Sequence, residues 1–540
     1  MRERLIPFSS DIGFSRLYRE FIETPENIAG GFGLNSLDEA INAVSSHSYH
    51  RDTLVDILTR QNTGWGAGRE TLDNIARLKD DKSVVVITGQ QACLFGGPYL
   101  VILKALGVIK KAAEIERKYH ISAIPVFWIA ADDHDFAEIS FAEVFDIGGK
   151  LQRVSVDVPD QAVSPPVGEL SFDESIEQAR QEFLGNFPEN DFRESVTELI
   201  NRTYARGEDI TGAFAGLMNA LLGKFGLVLF SPYDADFKAR ASGVMQDIVK
   251  KHDAVKDAVA RANRQLDSAG YHQQVVKADT AVHLFAHTPN RMAVHVENSE
   301  YSAGDTAYEH NELISAIEEH PLDFSPDVLT RPIIQSAFFP AVTFIGGPAE
   351  VAYFLQLSKL FNVFNVPQPE LQGRPSVTLI ESRFEMLMSD EHIAYVDLIT
   401  KGEQLLAGLV TDTFPDDVQR GFNTIRELVR SEAGKLDKLG EQIDKSLVDA
   451  IIKSRKNIDK EFAELHKRFI NAHKKQNRVV RERLERLYEN LYPRRQPAER
   501  VVNILYFLSR YGVHVIDFLL ERLTIDAKGH QLLMMSEYDG

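Results

Sequence analysis

Three acidic residues and a histidine stand together in this chain, and their types could support proton transfer, ammonium binding or metal binding. Asp132, Asp133, His134 and Asp135 directly follow the apolar run PVFWIAA at 125–131. Acids held this close repel one another unless a cation, an amine or a network of donors balances them. The structural alternative is a solvated loop in which Asp133 or Asp135 caps a helix. We favour a catalytic role, because loops that follow the strands of parallel sheets are the usual ligand sites.

Two Gly-Gly-Pro sequences predict positions for a polar or anionic ligand. The first ends the loop GQQACLFGGP at 89–98, and the second occupies 346–348. Each is predicted to place Pro at the first position of a helix and to leave backbone N–H groups available to an anion. The candidate substrate-binding residues in and around these two segments are Gly89, Gln90, Gln91, Gly96, Gly97, Tyr99, Arg331, Gly346, Gly347 and Glu350.

Two common nucleotide-binding motifs are absent from the sequence. The chain contains neither the GxxxxGK[ST] loop nor the GxGxxG fingerprint, which disfavours P-loop ATPases and Rossmann dehydrogenases. Its single cysteine, Cys93, excludes an internal disulfide and a Cys-rich zinc site. A thiol at a helix start can be activated, but Cys93 lies beside Leu94, and we expect it to be packed rather than catalytic.

The elements that must position these residues predict a parallel sheet. VVVIT at 84–88 and PVFWIAA at 125–131 are continuous apolar runs, which are typical of strands buried on both faces. The segment between them has the apolar spacing of a helix about five turns long. FGLVLFSPYDADF at 225–237 predicts another strand of the same sheet, and residues 331–365 repeat the order of strand, turn and helix. Strand, helix and strand in this order indicate a right-handed βαβ unit.

The rest of the chain divides by composition. Residues 1–80 have helical spacing, and HLFAHTPNRMAVHVEN at 283–298 predicts antiparallel strands around a Thr-Pro-Asn turn. We therefore expect an α/β core with a parallel sheet at 1–384 and an inserted subdomain at about 150–320. A coiled-coil domain is predicted at 385–497, and a C-terminal helical segment at 498–540 should dock back on the core.

The coiled-coil prediction depends on a run of apolar residues spaced three and four apart. The run from Leu436 to Leu491 ends before Pro493, and as one helix it would span about 80 Å at 1.5 Å per residue. A helix of this length cannot bury its apolar stripe against one small domain. It therefore forms a hairpin with a helix at about 416–433 or pairs between chains, and we expect a homo-oligomer.

Composition restricts the class of protein. The chain has 540 residues, 60 Lys+Arg against 79 Asp+Glu, and a formal net charge of −19, which argues against nucleic acid as a partner. Its N-terminus lacks the apolar region of a signal peptide, and no segment has the ~20 apolar residues of a membrane span. We expect a cytoplasmic protein without a membrane partner.

Four segments in conserved order resemble the cysteine-adding enzymes of bacillithiol biosynthesis, the cysteine ligase family. They are TGQQACLFGGPYLVILKA, PVFWIAADDHDFAEI, RPII…FIGGPAEVAYFLQL with the following PQPELQGRPS, and YPRRQPAERVVNILYFLSRYG. The resemblance runs from residue 82 to the C-terminus. It departs from the family pattern at Cys93, where the family usually has Gly, and this further disfavours Cys93 as a nucleophile.

The resemblance implies a fold, a reaction and a site. The fold is a Rossmann-like core related to nucleotidyltransferases and class I synthetases, with connecting-peptide inserts and a dimerising coiled coil. The reaction joins cysteine to glucosaminyl-malate through an amide, the last step of bacillithiol synthesis. By position, the family's Gln-rich loop falls on Gly89–Gln91, its acidic motif on Asp132–Asp135 and its Gly-Gly-Pro turn on Gly346–Pro348. No cofactor is fixed by the sequence, although the resemblance allows an adenine nucleotide, ATP or ADP.

Three functions stay open at this point. In the leading one, the cluster around His134 holds or deprotonates the cysteine amine, and the Gly-Gly-Pro turns bind the malyl carboxylate or a phosphate. The alternative is a metal-dependent hydrolase or phosphotransferase in which the residues of 132–135 are ligands, although no second His/Asp cluster at ligand spacing stands out. The third treats the core as a scaffold and the coiled coil as the functional part.

Overall fold

The protein forms two compact units. They are Met1–Ser382 together with Pro493–Gly540, and Arg383–Tyr492. The computed structural model describes residues 4–10, 12–157, 165–287, 290–405, 415–476 and 478–538. No helix in these ranges is both long enough and apolar enough to cross a membrane.

The described strands all lie in the first unit. In chain order they are β1 Leu5–Pro7, β2 Val84–Gln90, β3 Ala123–Ile129, β4 Phe141–Phe145, β5 Leu151–Ser155, β6 Val228–Phe230, β7 Ala281–His287, β8 Arg291–Glu297, β9 Glu300–Ala303, β10 Thr306–Tyr308, β11 Phe324–Pro326, β12 Ala341–Gly346, β13 Glu370–Gly373, β14 Val377–Ile380 and β15 Gly529–Met534.

The α-helices occur in both units. In chain order they are α1 Arg16–Glu23, α2 Pro25–Phe32, α3 Leu37–Ser45, α4 Arg51–Gly64, α5 Arg69–Arg77, α6 Leu100–Tyr119, α7 Phe136–Ile139, α8 Ser175–Gly185, α9 Asp191–Thr203, α10 Ile210–Leu222, α11 Ala235–Lys250, α12 His252–Ser268, α13 His310–Glu319, α14 Arg331–Phe338, α15 Pro348–Leu357, α16 Leu360–Phe364, α17 Ser382–Asp390, α18 Tyr395–Lys401, α19 Asp416–Ile443, α20 Ser446–Gln476, α21 Arg478–Leu491, α22 Leu505–Tyr511 and α23 Val515–Arg522.

A five-stranded parallel sheet forms the centre of the first unit, in the order β13-β12-β2-β3-β6. Every residue of β3 is buried, as are the first five of β2, because these apolar runs are covered on both faces. Helix α6 connects β2 to β3 and packs on both. The predicted parallel sheet is confirmed, including the strand near 228 and the helices of the first 80 residues, to which the structure adds β1.

A second, antiparallel sheet lies in the inserted region, in the order β10-β9-β8-β7-β11. Strands β7 and β8 pair antiparallel, with His287 opposite Arg291. This confirms the hairpin predicted at 283–298, although Thr288 and Pro289 of its turn lie outside the described residues. The hairpin brings Arg291 towards the large parallel sheet, where it contacts His134.

The end of the chain returns to the first unit. The structure confirms the helices predicted in this segment, α22 and α23. It differs from the prediction at β15, which is a strand where only helix was expected. β15 lies between β1 and β14 in a small sheet. Its buried His530 ring contacts the hydroxyls of Ser376 and Thr378, which supply the polar partners that an imidazole needs in the interior.

The long helices belong to the second unit. The prediction of one continuous helix from Leu436 to Leu491 is wrong, because Asp444 has an extended backbone and separates α19 from α20. These helices pack on each other as a hairpin, with the Phe422 ring 5.4 Å from that of Phe469. The hairpin alternative is therefore confirmed. Several seam residues stay 40–78% exposed in the single chain: Leu436, Leu439, Ile443, Leu447, Ile458, Leu465 and Phe469.

Candidate active site

A cavity of about 390 Å³ lies where three strands of the parallel sheet end. Gln90, Ala130 and Gly347, which stand at or just beyond the carboxyl ends of β2, β3 and β12, all line it. This is the position at which parallel α/β sheets bind ligands. The lining residues are Gly89, Gln90, Gln91, Leu100, Lys104, Trp128, Ala130, Asp133, Glu138, Arg331, Gln335, Phe344, Gly347, Pro348, Ala349, Glu350, Tyr353, Arg374 and Arg500.

Lys104 and Glu350 form a buried ion pair in this lining. The Lys104 Nζ lies 2.8 Å from Glu350 Oε2 and donates to Gly89 O at 2.8 Å and to Gln90 Oε1 at 2.9 Å. Burial lowers the pKa of Lys104, while Glu350 opposes that shift. The pair ties β2 to the start of α15 and fixes the position of the loop at 89–91.

The second Gly-Gly-Pro turn has the predicted form. Gly347 caps α15, Pro348 is the first helical residue, and Gly347 N–H donates to Glu350 Oε2 at 2.6 Å. The Glu350 carboxylate therefore takes the place at Gly347 that an anion was predicted to occupy. The next amides, of Ala349 and Glu350, precede the first helical bond and stay oriented towards the helix start.

The three carboxylates of the acidic loop contact different partners. Asp132 Oδ1 lies 2.9 Å from Lys238 Nζ, and Asp133 accepts from Gln91 Nε2 at 2.8 Å and from the His134 amide at 2.8 Å. Asp135 accepts from the Glu138 amide at 3.3 Å and is the N-cap of α7, which is the structural role considered for it. Asp133 lines the large cavity, whereas Asp135 is not among its lining residues.

This arrangement does not converge on a metal position. Within the described ranges there is no group of three or more His, Cys, Asp or Glu residues placed to hold a metal ion. The carboxylates at 132, 133 and 135 turn to a lysine, an amide and a helix end respectively. The described partners of these carboxylates are therefore protein donors.

Arg291 of the inserted hairpin contacts the acidic loop and brings a positive charge to it. Its Nη1 lies 3.2 Å from His134 Nδ1 and 3.9 Å from Asp133 Oδ1, and its guanidinium stacks 3.7 Å from the Phe285 ring. Because arginine only donates, His134 Nδ1 is the acceptor in this contact. Burial raises the pKa of Asp133, but the charge of Arg291 and the donors Gln91 and His134 outweigh it and leave that pKa below its usual value. Asp133 is thus held as a carboxylate that accepts hydrogen bonds, beside the His134 ring.

Arginines supply the positive charge of the cavity. Arg374 is 4% exposed and its Nη2 lies 2.7 Å from Glu499 Oε1, so its charge is balanced. Arg331 donates from Nη2 to the Tyr353 hydroxyl at 3.2 Å, and its buried Nε has no hydrogen-bond partner among the described residues. A buried guanidinium N–H without an acceptor is costly, and it indicates a place for a ligand carboxylate or phosphate.

The first Gly-Gly-Pro turn differs from its prediction. Helix α6 begins at Leu100, Pro98 pairs with Asn503, and the Tyr99 amide donates to Val502 O at 2.8 Å. The Gly96 amide donates to the Tyr204 hydroxyl at 3.1 Å. The expectation of free amides at 96–99 is wrong, because the C-terminal segment and α9 occupy them. Gly96, Gly97 and Tyr99 are not among the lining residues of the cavity.

Cys93 is buried, and burial raises the pKa of its thiol to about 12. A thiol with so high a pKa is protonated near neutral pH and is a poor nucleophile. The loop around it serves packing instead: the Cys93 side chain lies in the space that a Cβ on Gly97 would need.

Several residues of the cavity could not be chosen from the sequence. Lys104 carried a signal, since a lysine within the apolar face LVILKALGVI must be buried with a partner. Glu138, Tyr353 and Arg500 carried none. Gly346 lies at the end of β12, and Arg331, Gly347 and Glu350 are among the residues that line the cavity.

Comparison with known proteins places the chain in a family. Residues 1–375 match the family model described as "Bacillithiol biosynthesis BshC, N-terminal Rossmann-like domain". Residues 377–535 match the model described as "Bacillithiol biosynthesis BshC, C-terminal coiled-coil domain". The chain belongs to the BshC family. The resemblance inferred from the four sequence motifs is therefore confirmed, together with the Rossmann-like and coiled-coil fold.

Relatives align over nearly the whole chain. The protein of Koribacter versatilis is 29% identical over 96% of this chain and 97% of its own length. That of Anoxybacillus flavithermus is 28% identical over 94% and 95%, and that of Salinibacter ruber is 29% identical over 92% and 90%. All three carry the name "Putative cysteine ligase BshC".

Proposed function

We propose that this protein is a cysteine ligase that joins cysteine to glucosaminyl-malate through an amide, in the last step of bacillithiol biosynthesis. Family membership supports the reaction, and the names of the aligned relatives support the substrate cysteine. The observation that carries the proposal is the large cavity, whose lining combines Asp133 and Glu138 with Arg331, Arg374 and Arg500. Both substrates of this reaction carry an amine and a carboxylate, so a site needs both signs of charge.

The acidic part of the cavity suits the amine. We propose that the sugar provides the amino group of the amide and cysteine the carboxyl group, which is the reverse of the direction expected from the sequence. Asp133, held ionised by Arg291 and Gln91, can accept hydrogen bonds from the ammonium and then one proton from it. The nitrogen attacks the activated carboxyl carbon, the C–N bond forms, and the bond from that carbon to its leaving oxygen breaks.

The carboxyl group needs activation, and an adenine nucleotide is the co-substrate that we propose. It would supply a phosphoryl or adenylyl group to that carboxyl. The residues present suit such an anion: Arg331 has a buried N–H without a described acceptor, and Arg374 and Arg500 line the same cavity. Ala349 adds an amide at the start of α15, where the helix dipole favours negative charge.

Reconstitution tests this function. Purified protein is incubated with glucosaminyl-malate and cysteine, with and without ATP and Mg²⁺, and the amide product is measured by mass spectrometry. We expect product only with ATP, and strong loss of product in Asp133→Asn. Asp135→Asn is the matched control, because asparagine also caps helices and this position lies outside the cavity lining. Absence of product under every condition would refute the function.

We propose that the protein acts in the cytoplasm as a homodimer through its second unit. The exposed leucines and isoleucines of α19 and α20 form an apolar stripe that solvent does not favour. The stripe follows the spacing of a coiled-coil seam, and a second copy of the same hairpin would cover it. Light scattering coupled to size exclusion measures the mass, and a monomer at micromolar concentration would contradict the proposal.

A further inference from the structure

A second, smaller cavity adjoins the large one. Its volume is about 220 Å³, and it lies between the acidic loop and the inserted antiparallel sheet. Four residues line both cavities: Trp128, Ala130, Asp133 and Arg331. The lining that belongs to the smaller one alone is Asp132, Pro232, Lys277, Phe285, Arg291, Pro326, Asp327 and Val328. The two cavities therefore form a compound site that is joined at Asp133 and Arg331.

The smaller cavity contains both signs of charge in a small volume. Asp132 is 15% exposed and reaches the cavity from the end of β3, where Lys238 pairs with its Oδ1. Arg331 lies at the junction with the larger cavity and brings the guanidinium whose Nε has no acceptor among the described residues. A carboxylate and a guanidinium that line one small cavity are complementary to a zwitterion, in which an ammonium and a carboxylate are separated by one carbon.

Part of the remaining lining is apolar and suits a small side chain, while Lys277, Arg291 and Asp327 are charged. Trp128, Phe285 and Val328 supply the apolar part. Pockets for drug-sized ligands measure about 300–1,000 Å³, a range that includes the larger cavity and excludes the smaller one. The smaller cavity therefore fits a compact amino acid and not a glycoside.

We propose that the smaller cavity is the amino-acid subsite, in which Asp132 holds the α-ammonium, Arg331 holds the α-carboxylate, and the side chain lies against Trp128 and Val328. This rests on the proposed function and deepens it. The amino-acid carboxylate then lies at the junction of the cavities, beside Asp133, which receives the amine of the second substrate from the larger cavity. The inserted sheet thus contributes Phe285 and Arg291 to the lining of this subsite.

Ligand binding to the full-length protein tests the subsite without requiring turnover. Isothermal titration calorimetry, with and without saturating glucosaminyl-malate, compares cysteine with cysteamine, which lacks the carboxylate, and with 3-mercaptopropionate, which lacks the ammonium. We expect cysteine to bind at least tenfold more tightly than either. Arg331→Gln should abolish the preference for cysteine over cysteamine but keep the preference over 3-mercaptopropionate. Asp132→Asn should abolish the preference for cysteine over 3-mercaptopropionate but keep the preference over cysteamine. If Arg331 and Asp132 had only structural roles, their substitutions would not each remove one of the two preferences and leave the other.

A pair of filling variants locates the subsite. Val328→Phe should weaken cysteine binding at least tenfold, whereas Leu100→Phe in the larger cavity should leave it within twofold. Cysteine binding that survives Val328→Phe, or that is absent from the wild type with glucosaminyl-malate present, would overturn the subsite. If cysteine binds as expected but reconstitution with ATP gives no amide, the subsite stands and the proposed ligase function fails.

Discussion

Replacing Glu499 by Gln is expected to destabilise the first unit strongly. The Glu499 carboxylate is fully buried and accepts from Arg374 Nη2 at 2.7 Å, Ser376 Oγ at 2.9 Å and the Val377 amide at 2.6 Å. Glutamine has nearly the same shape, so the change removes one charge with little change in packing. Arg374 would then be a buried cation without its counter-ion.

The size of the effect follows from this burial. Removing one partner of a buried ion pair costs about 3–5 kcal/mol, because the remaining charge stays away from water. Native proteins are stable by only about 5–15 kcal/mol, so the variant loses a large share of the free energy of unfolding. Arg374 also lines the large cavity, and its displacement should raise KM for an anionic substrate more than it lowers kcat.

Unfolding by guanidinium chloride measures the loss. The two tryptophans, Trp65 and Trp128, both lie in the first unit, so their fluorescence reports on that unit. Lys224→Met is the control, because its ion pair with Asp517 is 47% and 41% exposed and such pairs contribute about 0–1 kcal/mol. A second variant, Glu499→Gln with Arg374→Met, should recover part of the loss.

A small effect would refute this reasoning. If Glu499→Gln unfolds within about 1 kcal/mol of the wild type, the buried pair is not a main source of stability. The pH dependence gives an independent check. Burial raises the pKa of Glu499, but Arg374 and the other partners lower it further, so the net shift is downward from 4.5. The contribution of the pair is complete above pH 4.5 and is lost as the pH falls below that value.

Four further outcomes are expected. Asp133→Asn should lower kcat of amide formation by about 10²–10⁴-fold, the usual contribution of a positioned base, and steady-state kinetics with saturating substrates will show whether it does. Cys93→Ser should keep its activity, and native protein at pH 8 should resist iodoacetamide, since the pKa of the thiol is about 12; rapid alkylation of folded protein would contradict this. The double variant Leu439→Glu with Ile443→Glu should be a monomer in light scattering, and a dimer that persists in this variant would show that the interface lies elsewhere. Burial lowers the pKa of His530 to about 4, so melting temperatures should decline as the pH falls from 6.5 towards 4, and an unchanged slope in His530→Gln would exclude this histidine as the cause.

The sequence predicted those parts of the fold that local pattern controls. VVVIT and PVFWIAA are apolar at every position, so they could be read as buried parallel strands without any knowledge of their neighbours. The long apolar seam was also real, but its period continues past Asp444, and periodicity alone does not show where a helix turns back. The first Gly-Gly-Pro turn was misjudged because the partners of its amides, Val502 and Tyr204, are distant in sequence.

The candidate site was predictable only in part for the same reason. Asp133, Gln91 and Glu350 stood next to strand ends and could be selected by position. Arg291 could not, because nothing local connects a residue of an antiparallel hairpin to a loop 157 positions earlier. The sequence also could not show that the acids of the cluster have different partners, since the partner of Asp132 is Lys238 on the distant helix α11.

The division of the first unit into two stretches of chain has a consequence for how the protein is made. Arg374 leaves the ribosome 125 residues before its partner Glu499, and the whole second unit is synthesised between them. Until then the nascent chain can hold every strand of the parallel sheet, yet it carries an unpaired Arg374 and lacks Arg500. A chain whose translation stops within α19, α20 or α21 lacks both Glu499 and Arg500, so we expect the cavity to be completed only after Pro493–Gly540 has been made.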